Sequence, residues 1–322
     1  MSREYKSSLA GFLSSYVNYR QRGGLSFKSQ ERILASFDAY LAERRHSGPL
    51  SPETIDAFLD SRTESLCIGG RWRFRQVVSQ FYDYLGVYYT GQRRLPKGEA
   101  RVFRQRPAPR IFTEEELAAM LNAAKHISRH NKIRNMTFHA ALAVAIACGL
   151  RAGEVVRIHI EDIDFQTSRL TVRKTKFGKS RIIPIGSDLL ATLGEYLAYR
   201  RSDYPGIISD HLFVTMHKSS LSQSWFYQSF RELLHNLGMA GAHGKGPHPH
   251  DLRHTFAVRC LTSWYRRGLD PQTLLPHLAT YMGHTHYSDT AYYLTMTMEL
   301  LGYASDSIEK VWKEVTSHEQ EI

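Results

Sequence analysis

Three histidines and an arginine fall within residues 248–254, in the segment HPHDLRHTFAVRC. His250 and Arg253 are three residues apart, so both would face the same side of a helix that Pro249 and Asp251 help to begin. The N-terminus of a helix, an imidazole and a guanidinium together favour an anion of the size of a phosphate. This stretch therefore predicts a phosphate-binding site.

The same histidines could instead hold zinc, because His250 and His254 are four residues apart and would share a helix face. Against this, Asp251-Leu252-Arg253 stands where an HExxH motif has its general-base Glu, and Arg253 would put a permanent cation into the metal site. No Cys pair is near. We therefore expect no metal and no cofactor, and we interpret His254 as a structural residue of the helix.

Four further residues accompany this segment along the chain. They are Arg151 in CGLRAGE, Lys176 in a turn-prone stretch, His284 in MGHTHYSDT, and Tyr293 nine residues further on. Together with HPHDLRHTFA, these segments resemble the motifs of the tyrosine recombinase (phage integrase) family. Two details of spacing match that family as well: Glu154 follows Arg151 by three residues, and Lys176 precedes a proline by eight.

The resemblance covers residues 112–293 and implies a site-specific DNA recombinase or integrase, and it leaves open whether the protein serves a phage, a transposon, an integron or chromosome-dimer resolution. Such an enzyme cleaves and rejoins DNA through a 3′-phosphotyrosyl intermediate without ATP. Two alternatives stay open within the motifs. Tyr292 competes with Tyr293 as the nucleophile, and Lys174 and Lys179 compete with Lys176 as the hairpin lysine.

The chemistry of the reaction suggests a role for each matched residue. Attack by a tyrosine on a phosphodiester needs charge neutralisation on the phosphate and a proton for the departing 5′-oxygen. We expect Arg151 and Arg253 to bind the non-bridging oxygens, and Glu154 to orient Arg151. We expect His250 to accept the tyrosine proton and Lys176 to protonate the leaving oxygen. We expect His284 to hydrogen-bond the phosphate.

Composition agrees with a nucleic-acid partner. The 322 residues carry a formal net charge of +11, with 42 Lys and Arg against 31 Asp and Glu, a surplus typical of proteins that bind polyanions. No apolar window of about 18 residues predicts a membrane span. The three cysteines are far apart and form no CxxC pair. We expect a cytoplasmic, nucleoid-associated prokaryotic protein.

Hydrophobic periodicity predicts a mainly α fold with a small antiparallel β-sheet, divided into two domains. Residues 1–93 are predicted to form a helical domain, 94–110 a basic linker, and 111–322 a larger domain that ends in a tail helix. The resemblance implies that the first domain is a core-binding domain and the second a catalytic domain. Two short β-branched runs, RLTVR and RIIPI, flank KTKFGKS and predict a β-hairpin with Gly178 in its turn.

Start and stop signals place several helices. Ser51 and Pro52 are predicted to begin one helix, Thr113 and Glu116 to form the capping box of another, and Gly149 to end an apolar one. The run SDTAYYLTMTMELLGY, which contains Tyr293, is also predicted to be helical. The tail is predicted to be an amphipathic helix with an apolar stripe of Ile308, Val311, Trp312 and Val315.

Two groups of arginines are predicted to contact DNA phosphates. Arg71, Arg73 and Arg75 crowd the first half of a helix, where they oppose the helix dipole unless an anion lies nearby. Arg101, Arg104 and Arg106 lie in the linker, where proline and basic residues predict an extended chain.

The expected partner is double-stranded DNA with inverted-repeat core sites, bound by a tetramer in the synapse, with accessory DNA-bending proteins or a partner recombinase as possible additions. A type IB topoisomerase uses similar residues but relaxes DNA as a monomer. A third alternative is a DNA-binding regulator that has lost catalysis.

Overall fold

The structure, a computed structural model, describes residues 4–23, 27–64, 66, 68–88, 109–173, 180–206, 209–241, 246–284, 290, 292–295 and 302. The chain forms two compact units, Met1–Arg106 and Pro107–Ile322. The boundary between the units, after Arg106, falls inside the predicted linker of residues 94–110. The positions of the two ends of that linker stay predictions.

The described part of the first unit is helical. Its helices are α1 (Ala10–Arg22), α2 (Lys28–Glu43), α3 (Pro52–Asp60) and α4 (Ile68–Leu85). They enclose a core of aromatic and aliphatic side chains that includes Phe37, Phe58 and Phe81. As predicted, α3 begins at Pro52, and the hydroxyl of Ser51 accepts a hydrogen bond from the backbone N–H of Thr54.

The second unit is helical with one small sheet. Its helices are α5 (Glu114–Ala124), α6 (Lys132–Cys148), α7 (Ala152–Val155), α8 (Ser187–Ser202), α9 (Gln223–Asn236), α10 (Pro249–Arg266) and α11 (Pro271–Met282). The predicted capping box at the start of α5 is present in both directions between Thr113 and Glu116. Within the described residues no helix is long and apolar enough to cross a membrane.

The sheet has three antiparallel strands in chain order, β1 (Ile163–Asp164), β2 (Arg169–Val172) and β3 (Arg181–Pro184). Strands β2 and β3 are the predicted hairpin, paired with Leu170 opposite Ile183. The short β1 was not predicted. It forms because the Asp164 carboxylate accepts the N–H groups of Gln166 and Thr167 and so turns the chain back onto β2.

The predicted helix around Tyr293 needs a correction at Tyr293 itself. Within the predicted run, Thr290 and Gly302 are described as helical, but Tyr292–Thr295 form a short 3₁₀ turn. The turn packs on α10, and that contact fixes the place of Tyr293.

The end of α6 carries the first part of the site, and it depends on Gly149. As predicted, Gly149 ends α6, with φ of 57° in the left-handed region. A β-carbon at this position would lie 2.5 Å from the ring of Phe256 on α10. Gly149 therefore supplies both the backbone turn into Arg151 and the close approach of α6 to α10.

Gly149→Ala should therefore lower the free energy of unfolding by at least ~1–2 kcal/mol, the cost of a left-handed non-glycine residue, with the clash against Phe256 added. Thermal or denaturant unfolding measures the change. The matched control is Gly194→Ala inside α8, where a β-carbon meets nothing within 4 Å. That variant should gain ~0.5–1 kcal/mol, and equal stabilities for the two variants would contradict the role of Gly149.

Candidate active site

The turn after α6 positions Arg151. Arg151 directly precedes α7, and both its backbone N–H and its guanidinium Nη1 donate to the Glu154 carboxylate, at 3.0 and 3.1 Å. The side chain of Arg151 stays 30% exposed, whereas that of Glu154 is 3% exposed. The partly exposed guanidinium of Arg151 can therefore contact a ligand, while the buried carboxylate of Glu154 holds it in position.

A second arginine, Arg181, was missed by the sequence reasoning. Its Nη1 and Nη2 donate to the two carboxylate oxygens of Glu154 at 3.2 and 3.1 Å, and its Nε donates to the Tyr281 carbonyl at 2.6 Å. The sequence did contain a signal that Arg181 is directed towards the protein interior. Strand side chains alternate between faces, so Arg181 had to share the inner face of β3 with the buried Ile183.

These contacts determine the ionisation of Glu154. Burial tends to raise the pKa of its carboxyl, but hydrogen bonds and charge from Arg181, with further contributions from Arg151 and Arg253, outweigh burial and lower the pKa below its ordinary value. Glu154 is therefore a carboxylate at neutral pH. Three guanidinium groups share this one buried carboxylate, which leaves a surplus of positive charge suited to an anion.

The predicted start of α10 is present. Pro249 is its first residue, and the Asp251 carboxylate accepts the backbone N–H of His248 at 2.6 Å. One turn into the helix, Arg253 is fully buried. Its Nη1 donates to the Gly149 carbonyl at 2.9 Å and its Nη2 to the Met282 carbonyl at 2.6 Å. Arg253 thus joins the ends of α6 and α11 to α10.

The two carbonyls do not use all the donors of Arg253. A guanidinium group has five N–H donors, and two of those of Arg253 donate to these carbonyls. Its buried Nε has no hydrogen-bond partner among the described residues. Burial, followed by the charge of Arg151, lowers the pKa of Arg253 to about 10. The group is still charged at neutral pH.

Two histidines on α10 lie side by side. The rings of His250 and His254 meet edge to face, with centroids 4.6 Å apart. His250 has one side exposed to solvent, yet loss of hydration on its packed side, with the charges of His254 and Arg253 next, lowers its pKa to about 4. Burial is also the main reason that the pKa of His254 is lowered. Both imidazoles are therefore predominantly neutral at neutral pH.

Tyr293 lies against these histidines. Its side chain is 2% exposed and packs with the core residues of α10 and α11. The Tyr293 hydroxyl is 3.1 Å from Nδ1 of His254, and the ring of His284 stacks against that of Tyr293 with centroids 6.3 Å apart. His284 Nδ1 also lies 2.7 Å from the Thr290 hydroxyl. The interpretation of His254 as a purely structural residue did not anticipate its contact with the hydroxyl of the predicted nucleophile.

Five of the six predicted catalytic residues, with Glu154, are thus placed on neighbouring segments of the second unit. The sixth, Lys176, and its alternatives Lys174 and Lys179 lie outside the described residues, as do Gly178, the linker arginines Arg101, Arg104 and Arg106, and the tail with Ile308, Val311, Trp312 and Val315. The side chain of Tyr292 is also outside them.

The arginines of α4 have partners within the first unit. Arg71 pairs with Asp60 and Arg75 with Asp56, both at 2.7 Å, while Arg73 donates to the hydroxyl of Ser29. Carboxylates are therefore the partners of Arg71 and Arg75, two of the three arginines that the sequence suggested would contact phosphate. Ion pairs exposed to this degree contribute little stability, so a phosphate could replace them, and the predicted DNA contacts stay predictions.

The described residues hold no group of three or more His, Cys, Asp or Glu that could bind a metal ion. The same residues do place a tyrosine hydroxyl beside a neutral imidazole, close enough to the buried guanidinium of Arg253 for their charges to interact. This combination suits attack on a phosphate ester, because the arginines can neutralise the charge that develops on its oxygens.

Comparison with known proteins identifies relatives for this chain. Residues 110–299 match the model of the phage integrase family. The putative integrase/recombinase y4rE of Sinorhizobium fredii is 34% identical over 295 residues, which cover 90% of this chain and 93% of that protein. Tyrosine recombinase XerA of Pyrococcus furiosus is 27% identical over 293 residues, covering 90% and 91%.

Solved structures share the fold. The integrase of transposon Tn1549 in complex with transposon right-end DNA superposes with a TM-score of 0.66 at 16% identity, over 93% of this chain and 98% of that one. The XerH site-specific recombinase bound to a palindromic difH substrate, in a post-cleavage complex, gives 0.65 at 20% identity, over 90% and 82%. The predicted mainly α fold with a small antiparallel sheet is confirmed.

Proposed function

Because this chain belongs to the phage integrase family and is a site-specific tyrosine recombinase, we propose that it cleaves and rejoins DNA through a 3′-phosphotyrosyl bond to Tyr293, without ATP. The observation that carries the proposal is the placement of Tyr293. The Tyr293 hydroxyl contacts the imidazole of His254. The negative charge that forms when Tyr293 loses its proton would act on Arg253, the buried arginine that joins α6, α10 and α11.

The matched arginines, Glu154, His284 and Lys176 each have a part in this reaction. A tyrosine hydroxyl has an ordinary pKa near ~10 and becomes a good nucleophile only as it loses its proton. Arg151 and Arg253 would bind the non-bridging oxygens, where negative charge develops, and Glu154 with Arg181 would hold Arg151 in place. His284 would donate to the phosphate. Lys176 would protonate the departing 5′-oxygen.

The phosphotyrosyl bond conserves the energy of the phosphodiester. A 5′-hydroxyl from another DNA strand can therefore attack it and restore a continuous strand without ATP. Exchange of strands between two duplexes needs several active sites in one assembly. We accordingly propose a tetramer on inverted-repeat core sites, in the cytoplasm and on the nucleoid, with accessory DNA-bending proteins or a partner recombinase where the element requires them.

The origin of the protein is proposed from its relatives. The Tn1549 integrase binds the end of its transposon, and y4rE is named an integrase/recombinase. We propose that this chain is likewise encoded by a mobile element and moves it. The arginines of α4 and of the linker, Arg71, Arg73, Arg75, Arg101, Arg104 and Arg106, would contact phosphates of the bound duplex.

A suicide substrate tests the proposal. A duplex nicked within the spacer loses the short strand after cleavage and so traps the covalent complex. Purified protein should shift by the mass of the bound strand in a denaturing gel, without ATP and in the presence of EDTA. Mass spectrometry of the digested complex should locate the nucleotide on Tyr293. A nucleotide on Tyr292 would overturn the assignment of the nucleophile, and no adduct on any site would favour a silent DNA-binding regulator.

The alternative of a type IB topoisomerase predicts a different product. Such an enzyme relaxes a supercoiled plasmid without regard to a pair of sites and leaves the order of sequences unchanged. The recombinase should invert or excise a segment between two core sites, and only when both sites are present. Family membership favours the recombinase.

A further inference from the structure

His254 has so far been given no role in the reaction, although its ring contacts the hydroxyl of Tyr293. His254 Nδ1 and the Tyr293 hydroxyl are 3.1 Å apart, a hydrogen-bond distance, and the two rings are tilted with centroids 5.4 Å apart. His250, the residue predicted to accept the tyrosine proton, packs edge to face against His254. His254 therefore lies where it can exchange a proton directly with the reacting oxygen.

The surroundings of the hydroxyl restrict where its proton can go. Tyr293 is 2% exposed and packs among apolar side chains of α10 and α11, so bulk water has little access to the oxygen. A buried phenolate without a proton acceptor nearby would be costly. The proton must therefore pass to a base within hydrogen-bond reach, and His254 is such a base.

The charges around His254 favour its neutral form before the reaction. Burial and the nearby Arg253 oppose a positive imidazole, while Asp251 favours one. Among the described residues, the other titratable groups that face it are His250 on its own helix, Tyr293 on the 3₁₀ turn, and His284 stacked on Tyr293. A neutral ring with its proton on Nε2 leaves Nδ1 free to accept the O–H of Tyr293.

We propose that His254 is a catalytic residue whose Nδ1 takes the hydroxyl proton of Tyr293 as the phosphotyrosyl bond forms. This inference rests on the proposed function. An electron pair of the tyrosine oxygen forms the bond to phosphorus, and the bond from phosphorus to the 5′-oxygen breaks with its pair on that oxygen. The proton from Tyr293 moves to Nδ1, and the 5′-oxygen takes a proton from a separate acid, for which Lys176 is the candidate.

The reverse step uses the same atoms. When a 5′-hydroxyl attacks the phosphotyrosyl bond, the tyrosine oxygen leaves and recovers its proton from the positive ring of His254. Asp251, one turn earlier on the same helix, stabilises that positive ring electrostatically. His250 would then remain available for the phosphate beside Arg151 and Arg253, whose charges act on it.

His254→Asn separates proton transfer from positioning. The amide oxygen of Asn keeps a hydrogen-bond acceptor near the position of Nδ1 but is not basic. We expect the single-turnover rate of adduct formation on the suicide substrate to fall by ~10²–10⁴-fold, the usual contribution of a general base, with DNA affinity unchanged. His277→Asn, an exposed histidine of α11, is the matched control and should react at the wild-type rate.

The pH dependence gives a readout that a structural role would not change. The wild-type rate should fall as acid protonates His254, and this acid limb should be absent in His254→Asn. A rate within about threefold of wild type, or a slow variant that keeps the acid limb, would overturn the proposal. In His254→Ala, added imidazole should restore part of the rate, and failure of the base to do so over a range of concentrations would count against it.

The outcome can be separated from that of the proposed function. Loss of the adduct in Tyr293→Phe together with a normal His254→Asn rate would leave the recombinase mechanism intact and remove only His254 as the base. An adduct that persists in Tyr293→Phe would remove both.

Discussion

Tyr293→Phe is expected to abolish the covalent protein–DNA complex while the variant still folds and binds DNA. The substitution removes the one oxygen that would attack phosphorus, so the loss should exceed that from any other single change. The phenylalanine ring keeps the packing of Tyr293 with the core residues of α10 and α11. The lost hydrogen bond to His254 should cost the fold only ~1 kcal/mol.

Three measurements check this result. Trapping on the nicked suicide substrate should show no adduct, a gel shift should show near wild-type affinity, and thermal unfolding should show a folded protein. The matched variant is Tyr292→Phe, which changes the adjacent residue of the same 3₁₀ turn and should still form the adduct. The reverse pattern, with the adduct lost only in Tyr292→Phe, would show that the neighbouring tyrosine is the nucleophile.

Arg253→Lys should give the second largest loss, a decrease in cleavage rate of several orders of magnitude. Lysine keeps the positive charge but lacks the planar fork that lets Arg253 donate to the Gly149 and Met282 carbonyls and still offer N–H groups to a phosphate. Loss of a single preorganised donor to a developing oxyanion costs ~10²–10³-fold, and here the ends of α6 and α11 would also lose their common partner.

The buried position of Arg253 adds a cost in stability. Two backbone carbonyls would be left without their donors, at ~1–3 kcal/mol for each that stays unsatisfied. Cleavage should therefore be measured at a temperature where thermal unfolding shows the variant to be folded. DNA affinity should change little, because many other phosphate contacts remain. Arg259→Lys, an exposed arginine of the same helix paired with Glu114, is the control and should cleave normally. Near-normal cleavage by Arg253→Lys would show that Arg253 does not bind the scissile phosphate.

The sequence by itself was enough for several local elements of the fold. Ser51, Thr113 and Gly149 act at helix ends as predicted, because caps and left-handed glycine positions depend on a few neighbouring residues. The hairpin strands β2 and β3 were likewise predicted from two β-branched runs on either side of a turn-prone segment. The order and spacing of the motif residues were likewise sufficient to indicate the family.

Only the tertiary structure decided which side chains meet. Arg181 and Glu154 are 27 residues apart and Tyr293 and His254 are 39 apart, and no local rule of spacing pairs residues at such distances. The assignment of the tyrosine contact to His254 instead of His250 depends on the packing of a 3₁₀ turn against α10. Such packing is set by the burial of Tyr293 among apolar side chains from two helices, a property of the assembled core that a reading of one segment at a time cannot supply.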